Sequence, residues 1–349
     1  MKTTIRSIAV AVAAAVALAG TALADNVLLK MPFAFNPKLP NVTSIAKIFE
    51  ENVPMVRDDL KVKIYAPGKL VPPFEILDAV STGKVNSGLA ISAYWTGKIP
   101  SAPIFAAVPF GPEVGEMLAW YKNGKGATLH QEMYDEAGYN VRAMACGILA
   151  PATAGWFQKE INSLDDFQGL QMRSVGLGAM VLQKVGASTS SIPVGEIYPA
   201  LEKGAIDAVE LSGPAVDSMI GLPKVAKYNY FPGWQKQSLF FELLINKDVW
   251  DGMNDGQRAA IEMACDQSIA NSIAEGEAIQ FGPMAAFADT GVEVRQLPTE
   301  VLAGLHTAWE EVAADLSAKD PMFKKVYEDL AAYRASYKIW GSNAFLPRD

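Results

Sequence analysis

One segment of the sequence occurs twice, and this internal repeat constrains the fold more than any other feature. Residues 75–86 and residues 196–207 share Glu-Ile, then alanine followed by an apolar residue, then one glycine, and finally an apolar residue followed by Asn or Asp. The pattern predicts a helix that ends at the glycine and leads into a strand. Chance is an alternative explanation, because α/β proteins reuse this order of elements. We favour two similar lobes, each with its own sheet.

The flanking sequence predicts alternating strands and helices. Residues 27–29 and 62–65 are apolar strand segments on either side of a predicted helix over residues 40–53, and residues 85–92 predict a further strand. Such alternation is typical of α/β folds. With 349 residues, of which 50% are hydrophobic and 19% charged, the chain is globular and long enough for two domains. The predicted fold class is therefore α/β with two lobes.

Three helices are predicted in the last third of the chain. Apolar spacing predicts a long helix over residues 254–287, which is long enough to brace both lobes. Capping signals place two further helices near Thr299 and at Asp320. The last of them carries three aromatic residues: Tyr333, Tyr337 and Trp340. Such side chains are more often core or dimer contacts than a platform for a ligand.

The first 24 residues have the features of a secretory signal peptide. Lys2 and Arg6 precede an apolar run over residues 8–18, and Ala-Leu-Ala at residues 22–24 is a signal-peptidase pattern. The alternative is a membrane anchor, but the run is shorter than the ~20 residues that a membrane span requires. We therefore expect an exported protein whose mature chain begins at Asp25.

Export makes a disulfide between the two cysteines possible. Cys146 lies in an apolar stretch, and Cys265 lies on the apolar stripe of the predicted long helix. Considered separately, each residue resembles a small buried hydrophobe. The expectation from sequence is therefore two buried free thiols.

Charge and motifs exclude several classes of function. The chain has 30 Lys plus Arg against 38 Asp plus Glu, a net charge of −8 that argues against non-specific binding to nucleic acid. His130 and His306 are the only histidines, so zinc motifs such as HExxH are absent. The sequence also lacks GxSxG and Walker A motifs. We therefore expect a protein that is not an enzyme.

Arg173 is the residue with the strongest physical case for ligand binding. It ends a short predicted strand just before a predicted helix over residues 179–185. A guanidinium fork and free backbone N–H groups both favour a carboxylate at such a place. A salt bridge to a surface acid is the alternative. Because ligands in open α/β sheets lie beyond the carboxyl ends of strands, Tyr94-Trp95 and Glu210-Leu211 are expected to face the same cleft.

Several motifs together identify a family. The sequence resembles the substrate-binding receptors of tripartite ATP-independent periplasmic (TRAP) transporters, of the DctP-like family, and within them most closely the branch that binds 2-oxoacids. The resemblance covers essentially the whole mature chain. It is carried by residues 108–111, 155–157, 164–173, 196–198, 204–208 and 232–234.

The resemblance implies a two-lobed periplasmic binding protein that closes around a small organic acid. It also implies delivery of the acid to membrane subunits that use an ion gradient. The carboxylate-clamping arginine of the family corresponds to Arg173. Tyr94 and Trp95 are the candidates for the opposite wall of the cleft, with ordinary packing as the alternative.

The sequence departs from the 2-oxoacid branch at its cation site. The family commonly has an oxygen ligand at the position of Ala152, a Glu-Trp pair where this chain has Glu210 and Leu211, and an acid where it has Lys236. Hard cations need oxygen ligands, so bound sodium or calcium is disfavoured, with Glu210 the one remaining ligand.

We hypothesise that the ammonium of Lys236 replaces the metal, pairing with Glu210 and with an oxygen of the ligand. The alternative is that Lys236 points into solvent and Gln235 or Gln237 lines the pocket. Replacing Trp by Leu211 should also reshape the cleft and admit a bulkier acid.

These inferences define the expected organisation. We expect a signal peptide over residues 1–24, a first lobe of residues 25–148 plus 236–275, and a second lobe of residues 149–235 plus 276–349 that includes the C-terminal helices.

The expected function is a periplasmic receptor for a small monocarboxylate, a 2-oxo or 2-hydroxy acid. The alternatives are a receptor for an aromatic or other acid bound without metal, a periplasmic enzyme acting on such an acid, and a sensor subunit. The expected partners are the membrane subunits, and a homodimer through the C-terminal helices is a further possibility.

Overall fold

The computed structural model describes residues 26–346, so the expected signal peptide lies outside the described residues. The strands are β1 Val27–Pro32, β2 Leu60–Tyr65, β3 Ser87–Ala90, β4 Val141–Leu149, β5 Gly155–Phe157, β6 Gln171–Arg173, β7 Ser188–Ser190, β8 Ala208–Val209, β9 Tyr228–Phe231, β10 Leu239–Asn246 and β11 Glu293–Gln296. The α-helices are α1 Val42–Lys47, α2 Val53–Val56, α3 Ile76–Ser81, α4 Val114–Asn123, α5 Gly126–Glu136, α6 Gly176–Lys184, α7 Val194–Glu202, α8 Pro214–Met219, α9 Lys247–Gly252, α10 Asp255–Ala278, α11 Phe281–Thr290, α12 Thr299–Lys319 and α13 Pro321–Ala344. The predicted α/β class is confirmed.

The first lobe is built on β1 to β4 and β10. Strands β1 and β2 pair in parallel, and β10 lies between β3 and β4 in an antiparallel sheet. A bridge between Phe33 and Leu89, with a 2.8 Å hydrogen bond from the backbone N of Ala34 to the carbonyl of Leu89, joins the two groups of strands. Every residue of β10 is buried, as expected for a central strand covered on both faces.

The second lobe is built on a six-stranded mixed sheet in the order β11-β9-β5-β8-β6-β7. Strands β6 and β8 run parallel, and Arg173 at the end of β6 pairs in register with Val209 at the end of β8. The residue after β8 is Glu210, whose backbone N donates to the carbonyl of Arg173 at 2.9 Å. The strand ends therefore place Arg173 and Glu210 side by side at one edge of the sheet.

Two connecting segments, residues 150–154 and residues 232–238, lead from one lobe to the other and lie against each other. The backbone N of Ala152 donates to the carbonyl of Lys236 at 3.1 Å. A Cβ atom at Gly233 would lie 2.1 Å from the carbonyl oxygen of Ala152, so only glycine permits this approach. We retain the predicted lobe boundaries as a proposal, except that α13 packs on α4 and α5 of the first lobe.

The predicted long helix is present, but it is interrupted before its predicted C-terminal end. It begins as expected, with a capping box between Asn254 and Gln257, but α10 ends at Ala278 and α11 starts at Phe281. The break follows from Pro283, which lacks the N–H that would bond to the carbonyl of residue 279 and whose ring would clash with that carbonyl. Pro283 therefore fits only in the first turn of a new helix.

The expectation of two free thiols is also wrong. Cys146 on β4 and Cys265 on α10 form a disulfide with an S–S distance of 2.09 Å. Both residues are buried as expected, but α10 packs across β4 and brings the two apolar stretches together. Considering each cysteine in its own segment could not show that the segments face each other.

The two C-terminal helices contact different lobes. Helix α12 packs on α6 of the second lobe, where Lys184 forms a 2.9 Å ion pair with Glu311. Helix α13 begins at Pro321, as predicted, and returns to the first lobe, where Trp120 Nε1 donates to Asp329 Oδ1 at 2.9 Å. No helix among residues 26–346 is long and apolar enough to cross a membrane.

Candidate functional site

Arg173 is a buried cation that has no acidic partner among the described residues. Its side chain is 2% exposed. Nη1 donates to the carbonyl of Glu210 at 2.8 Å, and Nε donates to the carbonyl of Ile192 at 3.3 Å. These carbonyl groups orient the guanidinium group of Arg173, but they do not neutralise its positive charge. Within residues 26–346 no surface acid pairs with Arg173, which is the arrangement that an incoming carboxylate requires.

Lys236 points into the protein and pairs with Glu210. Its Nζ contacts Glu210 Oε1 and donates to the carbonyl of Leu211 at 2.5 Å. The other carboxylate oxygen, Glu210 Oε2, accepts from Ser174 Oγ at 3.2 Å. The side chains of Lys236 and Glu210 are only 8% and 3% exposed. The ammonium is therefore neutralised locally by one buried carboxylate.

The two glutamines beside Lys236 are engaged elsewhere. Gln235 Nε2 donates to the carbonyl of Thr153 at 2.8 Å, and Gln237 Nε2 donates to the carbonyl of Gly233 at 2.9 Å. Neither lines the cavity that contains Lys236.

Tyr94 lines the opposite wall of this cavity, on the turn that follows β3. Its ring lies 4.5 Å from that of Phe74 and 5.8 Å from that of Phe35, centroid to centroid. The hydroxyl is buried and has no regular hydrogen bond within the described part of the chain. Burial raises the pKa of Tyr94, while the nearby positive charge of Arg173 acts in the opposite direction. The neutral phenol is thus a donor facing the same space as the guanidinium.

The cavity between the lobes is small and mostly apolar. Its volume is about 50 Å³, far below the ~300–1,000 Å³ of pockets for drug-sized ligands. The polar or charged residues of its lining are Tyr94, Arg173, Ser212 and Lys236. The first lobe contributes Phe35, Leu39, Val42, Ile91, Leu239 and Phe241. The second lobe contributes Val175, Val194, Leu211 and Val216.

Trp95 does not line the cavity. It is fully buried in the first lobe, where its Nε1 donates to Glu242 Oε1 at 2.6 Å. The same carboxylate accepts from the hydroxyl of Tyr134 at 2.9 Å and is joined to His130 Nε2 at 3.0 Å. Trp95 therefore fixes the turn that presents Tyr94, and it belongs to a buried network rather than to the site.

Sequence reasoning missed Asp217, a buried acid near the Lys236–Glu210 pair. Its Oδ2 accepts from Trp156 Nε1 at 2.8 Å, and its Oδ1 has no hydrogen-bond partner within residues 26–346. Burial is the main cause that raises the pKa of Asp217 to about 7, and the charge of Glu210 adds to it while that of Lys236 opposes it. No local pattern around Asp217 indicates this position.

The reasoning from sequence also missed the apolar wall. Phe35 follows β1 in the same way that Tyr94 follows β3, so the rule that ligands lie beyond strand ends could have found it.

The residues at the cation position of the 2-oxoacid branch do not fit a hard cation. Ala152 offers no side-chain oxygen, and the carbonyl of Leu211 and the carboxylate of Glu210 both contact the ammonium of Lys236. Within residues 26–346 no cluster of three acidic, histidine or cysteine side chains could hold a metal. Sodium and calcium need several oxygen ligands, and here the ammonium of Lys236 already contacts Glu210 Oε1 and the carbonyl of Leu211.

Comparison with known proteins identifies close relatives. Residues 34–320 match DctP, described as bacterial extracellular solute-binding protein, family 7. The chain is 30% identical to a monocarboxylate 2-oxoacid-binding periplasmic protein of Nostoc sp. (strain PCC 7120), with 90% of this chain and 86% of that protein covered.

Two solved structures have the same fold. A TRAP transporter solute binding protein from Bordetella bronchiseptica RB50, a dimer with copurified calcium and picolinate, superposes with a TM-score of 0.89 at 31% identity, covering 92% of this chain and 95% of that one. A TRAP periplasmic solute binding protein from Pseudoalteromonas atlantica T6c, with sodium and pyruvate, gives a TM-score of 0.86 at 28% identity, covering 92% and 97%. The two-lobed architecture is thus confirmed.

Proposed function

The chain belongs to the DctP family of bacterial extracellular solute-binding proteins, and on that premise we propose that it binds a small monocarboxylate and delivers it to the membrane subunits of a TRAP transporter. The family consists of receptors rather than enzymes. The observation that carries the ligand class is Arg173, a buried guanidinium with no acidic partner within residues 26–346 at the edge of an interlobe cavity. The 2-oxoacid-binding relative from Nostoc supports a 2-oxo or 2-hydroxy acid as the substrate.

Each site residue has a proposed role. The remaining N–H groups of Arg173 bind the ligand carboxylate, because a guanidinium fork fixes both its charge and its plane. Lys236, held by Glu210, donates to the oxygen on the second carbon of the acid. The hydroxyl of Tyr94 donates from the first lobe, so it completes the site when the lobes close. Leu211 shapes the wall next to Lys236.

We propose that no metal accompanies the ligand. The ammonium of Lys236 contacts a carboxylate and a backbone carbonyl, which are oxygen ligands of the kind that hard cations use. A buried ion pair of this kind needs further hydrogen bonds to offset its desolvation, and the 2.5 Å bond to the carbonyl of Leu211 provides one.

The proposal includes export and the lobe boundaries given above. Residues 1–24 would be removed as a signal peptide, and the mature protein would act in the periplasm.

Dimerisation through the end of α13 is also proposed, because Ile339, Trp340 and Phe345 are largely exposed there. Light scattering on Trp340→Lys tests this part: a dimer that becomes a monomer supports it, and a parent protein that is monomeric contradicts it.

Isothermal titration of residues 25–349 with 2-oxo and 2-hydroxy acids tests the receptor assignment. Binding should persist with a chelator present and with sodium replaced by a large organic cation. Arg173→Lys should weaken binding about tenfold or more, because charged hydrogen bonds contribute about 1.5–3 kcal/mol. Arg295→Lys is the matched control, since Arg295 pairs with Glu160 and Glu293 and does not line the cavity. Absence of binding by every acid would overturn the assignment, and loss of binding with chelator would overturn only the metal-free site.

A further inference from the structure

The charged and the apolar groups of the cavity come from different segments. Arg173 lies at the end of β6, and Lys236 lies on the connecting segment of residues 232–238. The first-lobe segments before and after this connection line the cavity with aliphatic and aromatic side chains, and the hydroxyl of Tyr94 is their one polar side-chain group in the lining. A ligand that fills this space meets these donors within a mostly apolar lining.

The charged residues that line the cavity leave one binding site for an anion. Glu210 neutralises Lys236, so Arg173 is the one lining cation without an acidic partner in residues 26–346. A second carboxylate on the ligand would be buried without a cation, and burial of an unpaired charge is strongly unfavourable. The site therefore selects against dicarboxylates.

The apolar wall is closed to water and offers no partner to a polar tail. Leu39, Val42 and Phe241 are 6%, 3% and 3% exposed. Phe241 and Phe35 pack edge to face with centroids 5.4 Å apart. A hydroxyl or amine placed against it would lose its hydrogen bonds to water without replacement.

Leu211 extends the hydrocarbon surface into the second lobe. Val194 and Val216 of the second lobe line the same cavity. A tail at this place is enclosed by aliphatic side chains from both lobes. The small volume of about 50 Å³ favours a compact tail over an extended one.

We infer that the preferred ligand is a 2-oxo or 2-hydroxy monocarboxylate with a compact, branched aliphatic tail, bound with its carboxylate on Arg173 and its tail between Val42 and Leu211. This inference rests on the proposed function and specifies its substrate class. Pyruvate, which lacks such a tail, binds more weakly. The gain is about fourfold for each buried methylene, the ratio that corresponds to ~0.8 kcal/mol.

Titration of the chelated mature protein with a graded series tests the inference. The series is pyruvate, 2-oxobutyrate, 2-oxoisovalerate and 2-oxoisocaproate, with 2-oxoglutarate as the dicarboxylate and phenylpyruvate as the aromatic acid. Affinity should rise at least tenfold from pyruvate to the branched acids, and 2-oxoglutarate should bind more weakly than either branched acid. Tightest binding by pyruvate, 2-oxoglutarate or phenylpyruvate would overturn the inference while the receptor assignment stands. If none of the acids binds, the receptor assignment itself fails, and the inference fails with it.

A pair of variants isolates the wall from the rest of the protein. Val42→Thr replaces a methyl group by a hydroxyl in the lining at nearly constant volume, whereas Val53→Thr makes the same change in the core outside the cavity. Val42→Thr should weaken the branched acids several-fold more than pyruvate, and Val53→Thr should leave the ratio of the two affinities as in the parent. An equal loss for pyruvate and branched acids in Val42→Thr would contradict a tail at this wall.

Discussion

The ammonium of Lys236 and the carboxylate of Glu210 form a buried ion pair at the edge of the cavity between the lobes, and each side chain is less than a tenth exposed. Removal of one member leaves the other charge buried and uncompensated, which typically destabilises a protein by about 3–5 kcal/mol. The pair therefore has to be tested by replacing both residues as well as one.

Lys236→Met should lower the thermal unfolding midpoint by several degrees and abolish binding of 2-oxo acids. The double variant Lys236→Met/Glu210→Gln should recover most of the unfolding midpoint, because no charge is then left alone, but it should not recover binding. Differential scanning fluorimetry and titration calorimetry measure the two effects. A single variant that binds as tightly as the parent would remove Lys236 from the site.

Asp217 predicts a pH dependence of stability with a definite sign. Because burial raises its pKa from the ordinary 3.8 to about 7 in the folded protein, the folded state keeps a proton that the unfolded state releases between these pH values. This contribution to stability is complete below about pH 4, falls as pH rises and is lost above about pH 7. One pKa unit corresponds to about 1.4 kcal/mol, so the contribution is at most about 4 kcal/mol.

Asp217→Asn should remove this dependence. Urea unfolding at pH 5 and pH 8 measures it: stability should fall more between these pH values in the parent than in the variant. The amide can still accept from Trp156 Nε1 through its oxygen, so the comparison isolates the titration. An equal fall in the free energy of unfolding between pH 5 and pH 8 in the two proteins would show that the pKa of Asp217 is not raised.

The disulfide between Cys146 and Cys265 closes a sequence separation of 119 residues. Cys146→Ala/Cys265→Ala should lower the free energy of unfolding by about 2–5 kcal/mol, as is typical for removal of a native disulfide. Ligand affinity should change little, because neither cysteine lines the cavity between the lobes. Thiol titration of the unfolded, unreduced protein should find no free thiol, and two free thiols would contradict the pairing.

Gly176 marks a contact between the lobes that leaves no room for a side chain. Its φ is +65°, and an added Cβ would lie 3.0 Å from the Cβ of Ala93 on the turn that carries Tyr94. Gly176→Ala should therefore weaken ligand binding by holding the lobes apart, and the radius of gyration in X-ray scattering with ligand should exceed that of the parent. Ala93→Val adds bulk to the same contact without backbone strain and should have the same effect.

Gly195→Ala is the control for that contact, because nothing lies within 4 Å of the added atom and the backbone is not in the left-handed region. If this control lost affinity to the same extent as Gly176→Ala, the effect would not come from the contact between the lobes.

Sequence reasoning located the side chains whose position depends on strand ends. Arg173, Glu210 and Tyr94 follow or end short strands, and the α/β rule together with the family resemblance indicated all three. Trp95 was expected to face the cleft together with Tyr94. Residues 92–95 form a tight 3-10 turn, however, in which adjacent side chains point in different directions. The structure accordingly places Tyr94 in the cavity and Trp95 in the core.

The remaining features depend on contacts between distant segments. The disulfide requires knowledge that α10 crosses β4, and the acid at Asp217 becomes significant only beside Trp156, which is far away in sequence. Hydrophobic periodicity is a property of a single segment, so it could not reveal the disulfide or the contact between Asp217 and Trp156. The helix break at Pro283 is different, because proline in a predicted helix is a local signal that apolar spacing alone overlooks.

In the proposed binding mode, the uneven distribution of charge around the cavity separates capture of the ligand from its retention. In an open receptor the unpaired charge of Arg173 would attract an acid from solution, so the association rate should depend on ionic strength. The hydrocarbon of the first lobe would contact the ligand only after closure, so the residence time should depend on the size of the tail. A membrane partner that pulls the first lobe away would thus shorten the residence time.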